Sequence, residues 1–206
     1  ILKSDFLTQG PQVPLFEKSV IEWTHVKHAF AFNSATSALH IACLALEVGP
    51  GDYVWTSAIS FVASSNCALY CGAKVDFVDI DPNTYNMCPK KLAEKLKLAK
   101  ANNCLPKVVI PVHLSGQSCD MDEIKKLSEQ YGFKIIEDAS HAIGGKYKNQ
   151  PIGNCVFSDI SIFSFHPVKI ITSAEGGMAT TNSDKLALKL DTVSYTHLTL
   201  PTTPYV

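Results

Sequence analysis

The chain has 206 residues, 46% hydrophobic and 18% charged, with 11 Gly and 11 Pro. This is the make-up of a globular protein of one large or two small domains, too apolar for disorder. Its 18 Lys and Arg balance 19 Asp and Glu for a net charge of -1. With no basic stripe, nothing points to nucleic acid or an anionic membrane surface, and no apolar run reaches the roughly 18 residues a membrane helix needs. In chain order, Gln12 to Val26 alternates at helical spacing, with Pro14 near its start where proline is tolerated. His28–Phe32 reads as a strand. Thr36–Val48 is an apolar helix ended by Gly49-Pro-Gly51, Tyr53–Thr56 a strand, and Phe61–Tyr70 a helix closed near Gly72. Lys74–Val78 is a strand before the Asp81-Pro-Asn83 turn. Pro89–Lys100 is a charged amphipathic helix, and Lys107–Val112 a buried strand. Asp120–Tyr131 is a helix with Asp120 as its expected cap, followed by strand Phe133–Glu137. Ser161–Phe165 and Gly177–Thr181 are two further strands, and Asp184–Leu190 has a helical pattern. The alternation predicts an α/β domain with a mainly parallel sheet covered by helices on both faces.

Seven cysteines are present, an odd number with no CxxC pair and no second pair at zinc spacing. They read as small buried hydrophobes of a reducing, cytoplasmic protein. From Thr192 to Val206 the chain becomes rich in Thr and Pro and leaves the preceding helical pattern. We read residues 192–206 as an unrelated tail, a sequence artefact, with a genuine extended C-terminus as the alternative.

Ligands of such sheets bind beyond the carboxyl ends of the strands, so the residues after each strand carry the functional reading. After His28–Phe32 comes Asn33-Ser-Ala-Thr-Ser-Ala38, small hydroxyl residues opening a helix. They can offer N–H groups and hydroxyls to an anion, or Ser34 can simply cap the helix. No GxGxxG follows any strand, which argues against a dinucleotide. After Phe133–Glu137 comes Asp138-Ala-Ser-His141, where Asp138 is either a cap or a buried carboxylate that keeps a ring nitrogen protonated, with His141 near the same group. After Ser161–Phe165 comes His166-Pro-Val-Lys169. Lys169 lies between Val168 and Ile170-Ile171, where desolvation would lower its pKa and favour a nucleophilic amine, though a lone lysine is more often a solvated surface charge. An anion site, a carboxylate and a desolvated lysine, each after a different strand, match what pyridoxal 5'-phosphate requires of a protein.

The motifs Asn33-Ser-Ala-Thr-Ser-Ala38, Thr56-Ser-Ala-Ile-Ser-Phe61, Pro111-Val-His-Leu-Ser-Gly116, Glu137-Asp-Ala-Ser-His141 and Ser164-Phe-His-Pro-Val-Lys169 with Glu175-Gly-Gly177 occur in that order. In this ordered set the chain resembles the DegT/DnrJ/EryC1/StrS sugar aminotransferases, from about Asp5 to Asp191. The resemblance implies the large domain of a type I PLP-dependent transferase, with a mainly parallel seven-stranded sheet over residues 1–191, truncated at both ends and without the small C-terminal domain. It implies that Lys169 holds the cofactor covalently and later shuttles the proton, Asp138 bonds the pyridine nitrogen, and Phe61 stacks on the ring. Thr36, Ser37 and Ser164 would hold the phosphate, and His141 would sit on the O3' side. Relatives with His in place of this lysine are dehydratases, so Lys169 selects the aminotransferase branch. The implied reaction moves an amino group from glutamate to C4 of a UDP-linked 4-keto-6-deoxy-N-acetylhexosamine. The opening Asp5-Phe-Leu-Thr-Gln-Gly-Pro11 and the His-Pro-Val-Lys variant point to pseudaminic acid biosynthesis. The implied partners are the UDP-linked keto-sugar, glutamate and, in the full-length protein, a second subunit of a homodimer. Three alternatives remain: an inactive fragment of such an enzyme, an aminotransferase for another nucleotide keto-sugar, and a different type I enzyme such as a desulfurase or lyase. The last is disfavoured because no cysteine stands in an obvious mobile loop.

Overall fold

The computed structural model describes residues 10–195. Its helices are α1 (Gln12–Thr24), α2 (Ala35–Ala45), α3 (Ala63–Tyr70), α4 (Pro89–Ala101), α5 (Met121–Tyr131) and α6 (Asp184–Tyr195). Its strands are β1 (His28–Phe32), β2 (Tyr53–Ser57), β3 (Lys74–Val78), β4 (Val108–Ile110), β5 (Lys134–Asp138), β6 (Lys146–Tyr147), β7 (Gln150–Pro151), β8 (Ile160–Ser164) and β9 (Gly177–Thr181). Seven strands form one sheet in the order β1-β9-β8-β5-β4-β2-β3, while β6 and β7 make a small separate hairpin. β9 runs antiparallel to both β1 and β8, and the remaining pairs are parallel. Six strands therefore point the same way, as the mainly parallel expectation required, and their carboxyl ends share one edge.

Side-chain alternation along the strands assigns the two faces. Val54, Val108, Ile136 and Ile162 face one way and pack with Leu39, Ala42 and Cys43 of α2, Cys67 of α3 and Leu190 of α6. Their neighbours Trp55, Val109 and Ile135 face the other way, against Leu92 and Leu96 of α4 and Met121 and Ile124 of α5. Phe163 and Met178 lie with Val20 of α1 in a third cluster. Continuous apolar runs such as the fully buried Val-Val-Ile of β4 are what a sheet covered on both faces demands. Among the described residues no helix is long and apolar enough to cross a membrane, and no group of three or more His, Cys, Asp or Glu side chains could hold a metal ion.

Several local expectations change. Asp120 occupies the cap position of α5, but its carboxylate makes no capping bond and accepts from the Tyr147 hydroxyl at 2.6 Å instead. The acids Asp122 and Glu123 in the first turn face the helix dipole in its place. The helix expected from Phe61 begins at Ala63, which leaves Phe61 in the preceding loop. β5 runs one residue further than the hydrophobic pattern suggested, so Asp138 closes the strand. α6 continues through Tyr195, across the boundary expected after Asp191. The rest of the Thr/Pro-rich segment, and most of the Asp5–Pro11 motif, lie outside the described residues.

Candidate active site

At the shared carboxyl edge of the strands lies a cavity of about 340 Å³, walled by the segments that follow β1, β2, β4, β5 and β8. The first wall is the start of α2. Ser34 caps this helix, its Oγ accepting from the Ser37 N–H at 3.2 Å, and Ala38 N donates to Ser34 O. The N–H groups of Ala35 and Thr36 find no acceptor among the described residues and belong to the cavity wall. β9 passes tightly behind this helix start. A Cβ on Gly177 would lie 2.4 Å from Ser34 C and O and 2.5 Å from Ala35 N, so only glycine lets the strand run there.

The second wall is the end of β5. Asp138 is buried, its backbone held by donation to Pro111 O and by acceptance from His113 N. Its Oδ1 accepts from Ser140 N at 3.2 Å and Ser140 Oγ at 2.6 Å, and its Oδ2 accepts from Ser64 Oγ at 2.6 Å. One strand position earlier, Glu137 is also buried. Its two oxygens take His113 Nε2 at 2.8 Å and Ser158 Oγ at 2.8 Å. His113 Nδ1 accepts from Cys119 N, which leaves Nε2 as the protonated nitrogen facing Glu137. This second carboxylate is thus spent on structure, while Asp138 lines the cavity.

The third wall is the loop after β8. Phe165 pins its base: Phe165 O accepts from Thr172 Oγ1 and Ser173 N, and Phe165 N donates to Gly176 O. Inside it, Lys169 N donates to His166 O at 2.9 Å, a tight turn that sets the lysine in the wall beside Ser164. Burial pulls the Lys169 amine below the usual lysine range, against the opposing pull of the Asp138 charge. Burial, then the Lys169 charge, lowers the His141 imidazole, with Asp138 again opposing.

Of the residues singled out in the sequence, Thr36, Phe61, Asp138, His141, Ser164 and Lys169 line this cavity together. Ser37 stands a step back, with its N–H and hydroxyl both at Ser34 Oγ. Phe61 is 70% exposed at the rim, which sets it apart from a core aromatic. Sequence reasoning missed Ser64 and Ser140. The spacing of Ser140, two residues after an Asp, is the signal of a side chain bonding its own turn. The donor set fits pyridoxal phosphate. Two unused N–H groups and the Thr36 hydroxyl stand at a helix start for a dianion, with the Ser164 hydroxyl, an acceptor-only carboxylate and a primary amine lining the same cavity.

The family model for the DegT/DnrJ/EryC1/StrS aminotransferase family matches residues 1–199. UDP-4-amino-4,6-dideoxy-N-acetyl-β-L-altrosamine transaminase of Campylobacter jejuni serotype O:23/36 is 43% identical over 189 residues, covering 92% of this chain and 48% of that protein. Among solved structures, Helicobacter pylori PseC, an aminotransferase involved in pseudaminic acid biosynthesis, superposes with a TM-score of 0.85 at 36% identity, over 93% of this chain and 50% of that one. NtdA of Bacillus subtilis, solved with its cofactor PMP bound, gives 0.81 at 34% identity, over 91% and 41%. The chain spans about half the length of the curated relatives it matches.

Proposed function

The chain belongs to the DegT/DnrJ/EryC1/StrS aminotransferase family, whose aminotransferases use pyridoxal phosphate, and from that membership we propose that its protein transfers an amino group from glutamate to C4 of a UDP-linked 4-keto-6-deoxy-N-acetylhexosamine. The observation that carries the reading is the convergence of Asp138, Lys169 and the open α2 N-terminus on one cavity. When bound, pyridoxal phosphate supplies an aldehyde that exchanges amino groups and a protonated ring that takes up the electrons released at the substrate carbon.

The chain's own residues supply the rest. Thr36, Ser164 and the N–H groups at the start of α2 bind the phosphate, with Ser37 holding the cap that orients them. Asp138, fixed by three donors, holds the proton on the ring nitrogen. Phe61 covers one ring face, and His141, its pKa lowered by burial, serves the O3' oxygen. Lys169 carries the cofactor. Its amine, with its pKa lowered by burial, would serve as the base for the proton released at the substrate carbon.

A UDP-linked amino sugar stands in the name of the Campylobacter relative, and pseudaminic acid in that of the Helicobacter structure. These names support that substrate and that pathway. Val168 and Ile170, 78% and 66% exposed beside the cavity, support a homodimer in which a second subunit covers this rim. Seven free cysteines support a cytoplasmic setting. The test is a panel of UDP-, GDP- and dTDP-linked 4-keto-6-deoxy sugars incubated with the full-length protein, the cofactor and glutamate. The proposal expects the UDP-linked N-acetyl sugar to be aminated at C4. Amination of the other nucleotide sugars in preference, or of none, would refute it.

A further inference from the structure

Asp138 is held from a direction that the Asp138-Ala-Ser-His141 motif does not reveal. Ser64, in the first turn of α3 and 1% exposed, sets its Oγ 2.6 Å from Asp138 Oδ2, and 2.6 Å from Ser60 Oγ on its other side. The protons can be counted. Asp138, as a carboxylate, only accepts, so the single hydroxyl proton of Ser64 goes to Oδ2. Ser64 then has only lone pairs for Ser60, and the Ser60 hydroxyl must donate to it. Ser60 Oγ also lies 3.1 Å from Phe61 O, a longer contact than the one to Ser64. The result is a directed relay, Ser60 to Ser64 to Asp138. It starts in the loop that carries Phe61 and ends on the carboxylate at the cavity floor.

We infer that Ser64 is a positioning residue for the cofactor ring: by donating to Oδ2 it fixes the carboxylate plane and keeps Asp138 a weak enough base that the shared proton stays on the ring nitrogen. This rests on the proposed pairing of Asp138 with that nitrogen. Ser140 ties Oδ1 from within the same turn, so without Ser64 the carboxylate can pivot about that side. Charge-assisted bonds in a buried chain polarise one another, and donation into a carboxylate disperses its charge and lowers its basicity. Because Ser60 adjoins Phe61, the relay also links the ring's expected covering side chain to the group expected to bond its nitrogen.

The experiment uses the full-length protein reconstituted with pyridoxal phosphate carrying 15N in its ring, with circular dichroism confirming the fold of each variant. Two readouts are taken, the cofactor dissociation constant and the ring 15N resonance. Ser64→Ala should weaken binding about tenfold, the scale of one lost bond to a charged group, and move the resonance toward the unprotonated position. Ser64→Thr, which keeps the hydroxyl, should restore both. Ser60→Ala, at a half-buried position, should move the resonance in the same direction by less. Asp138→Asn separates the two levels of the argument. A resonance unmoved by Asp138→Asn overturns the pairing and the inference together. A resonance moved by Asp138→Asn but not by Ser64→Ala leaves the pairing standing and overturns the role of Ser64.

Discussion

The Asp138 charge acts on the amine of Lys169, and pH exposes its contribution. Burial lowers the Lys169 pKa, and the Asp138 charge partly raises it back. Covalent uptake of the cofactor by the apoprotein needs the neutral amine, so its rate should climb with pH through a midpoint below the ordinary lysine value. Asp138→Asn removes the raising charge and should move that midpoint to lower pH. A midpoint unmoved or moved upward, followed by absorbance after mixing, would show that the two groups do not share the cavity's field. Lys169 was legible in the sequence because apolar neighbours flank a lysine just past a strand. Asp138 was legible because it ends one. Ser64 was not, since it lies 74 positions from the carboxylate it serves and only the tertiary fold brings the start of α3 to the end of β5.

Two elements carry the site, and each has a residue whose loss should be measurable. Gly177 lets β9 press against the start of α2, where an added methyl meets backbone on three sides. Gly177→Ala should cost about 1–3 kcal/mol of stability and, if the displaced element is the anion cradle proposed above, weaken cofactor phosphate binding. Urea unfolding checks the first and a cofactor titration the second; an unchanged midpoint would mean α2 yields without cost. In β5, Glu137 ties His113 and Ser158 to the strand that presents Asp138. Glu137→Ala would leave the buried His113 Nε2–H and the Ser158 hydroxyl without an acceptor and should cost about 1–3 kcal/mol, read from the same unfolding curves. The seven strands of the main sheet and the six helices could be read from apolar runs, helical spacing and the Gly and Pro residues that bound them. Their ends were less legible because side-chain partners elsewhere decide them. Asp120 gives up capping for Tyr147, and α6 passes the composition change at residue 191. The hairpin of β6 and β7 has only two residues per strand, too few to display a period.

For the molecule as a whole, five of the six parallel carboxyl ends gather at one edge what the sequence scatters from Ser34 to Gly176, with Phe61 and Val168 exposed at the rim. Val168 and Ile170 have no internal reason to be so exposed. On the proposed dimer they are covered, and Val168→Asp with Ile170→Asp should convert the full-length protein to a monomer by light scattering and reduce its hold on the cofactor. A dimer that survives both charges would place the interface elsewhere. The central claim is that this cavity holds pyridoxal phosphate at Lys169. It is tested most directly by incubating the full-length protein with the cofactor, reducing with borohydride and locating the adduct by peptide mass spectrometry. We expect one modified site, Lys169, and its disappearance in Lys169→Ala. An adduct spread over surface lysines, or one retained in the variant, would contradict the account.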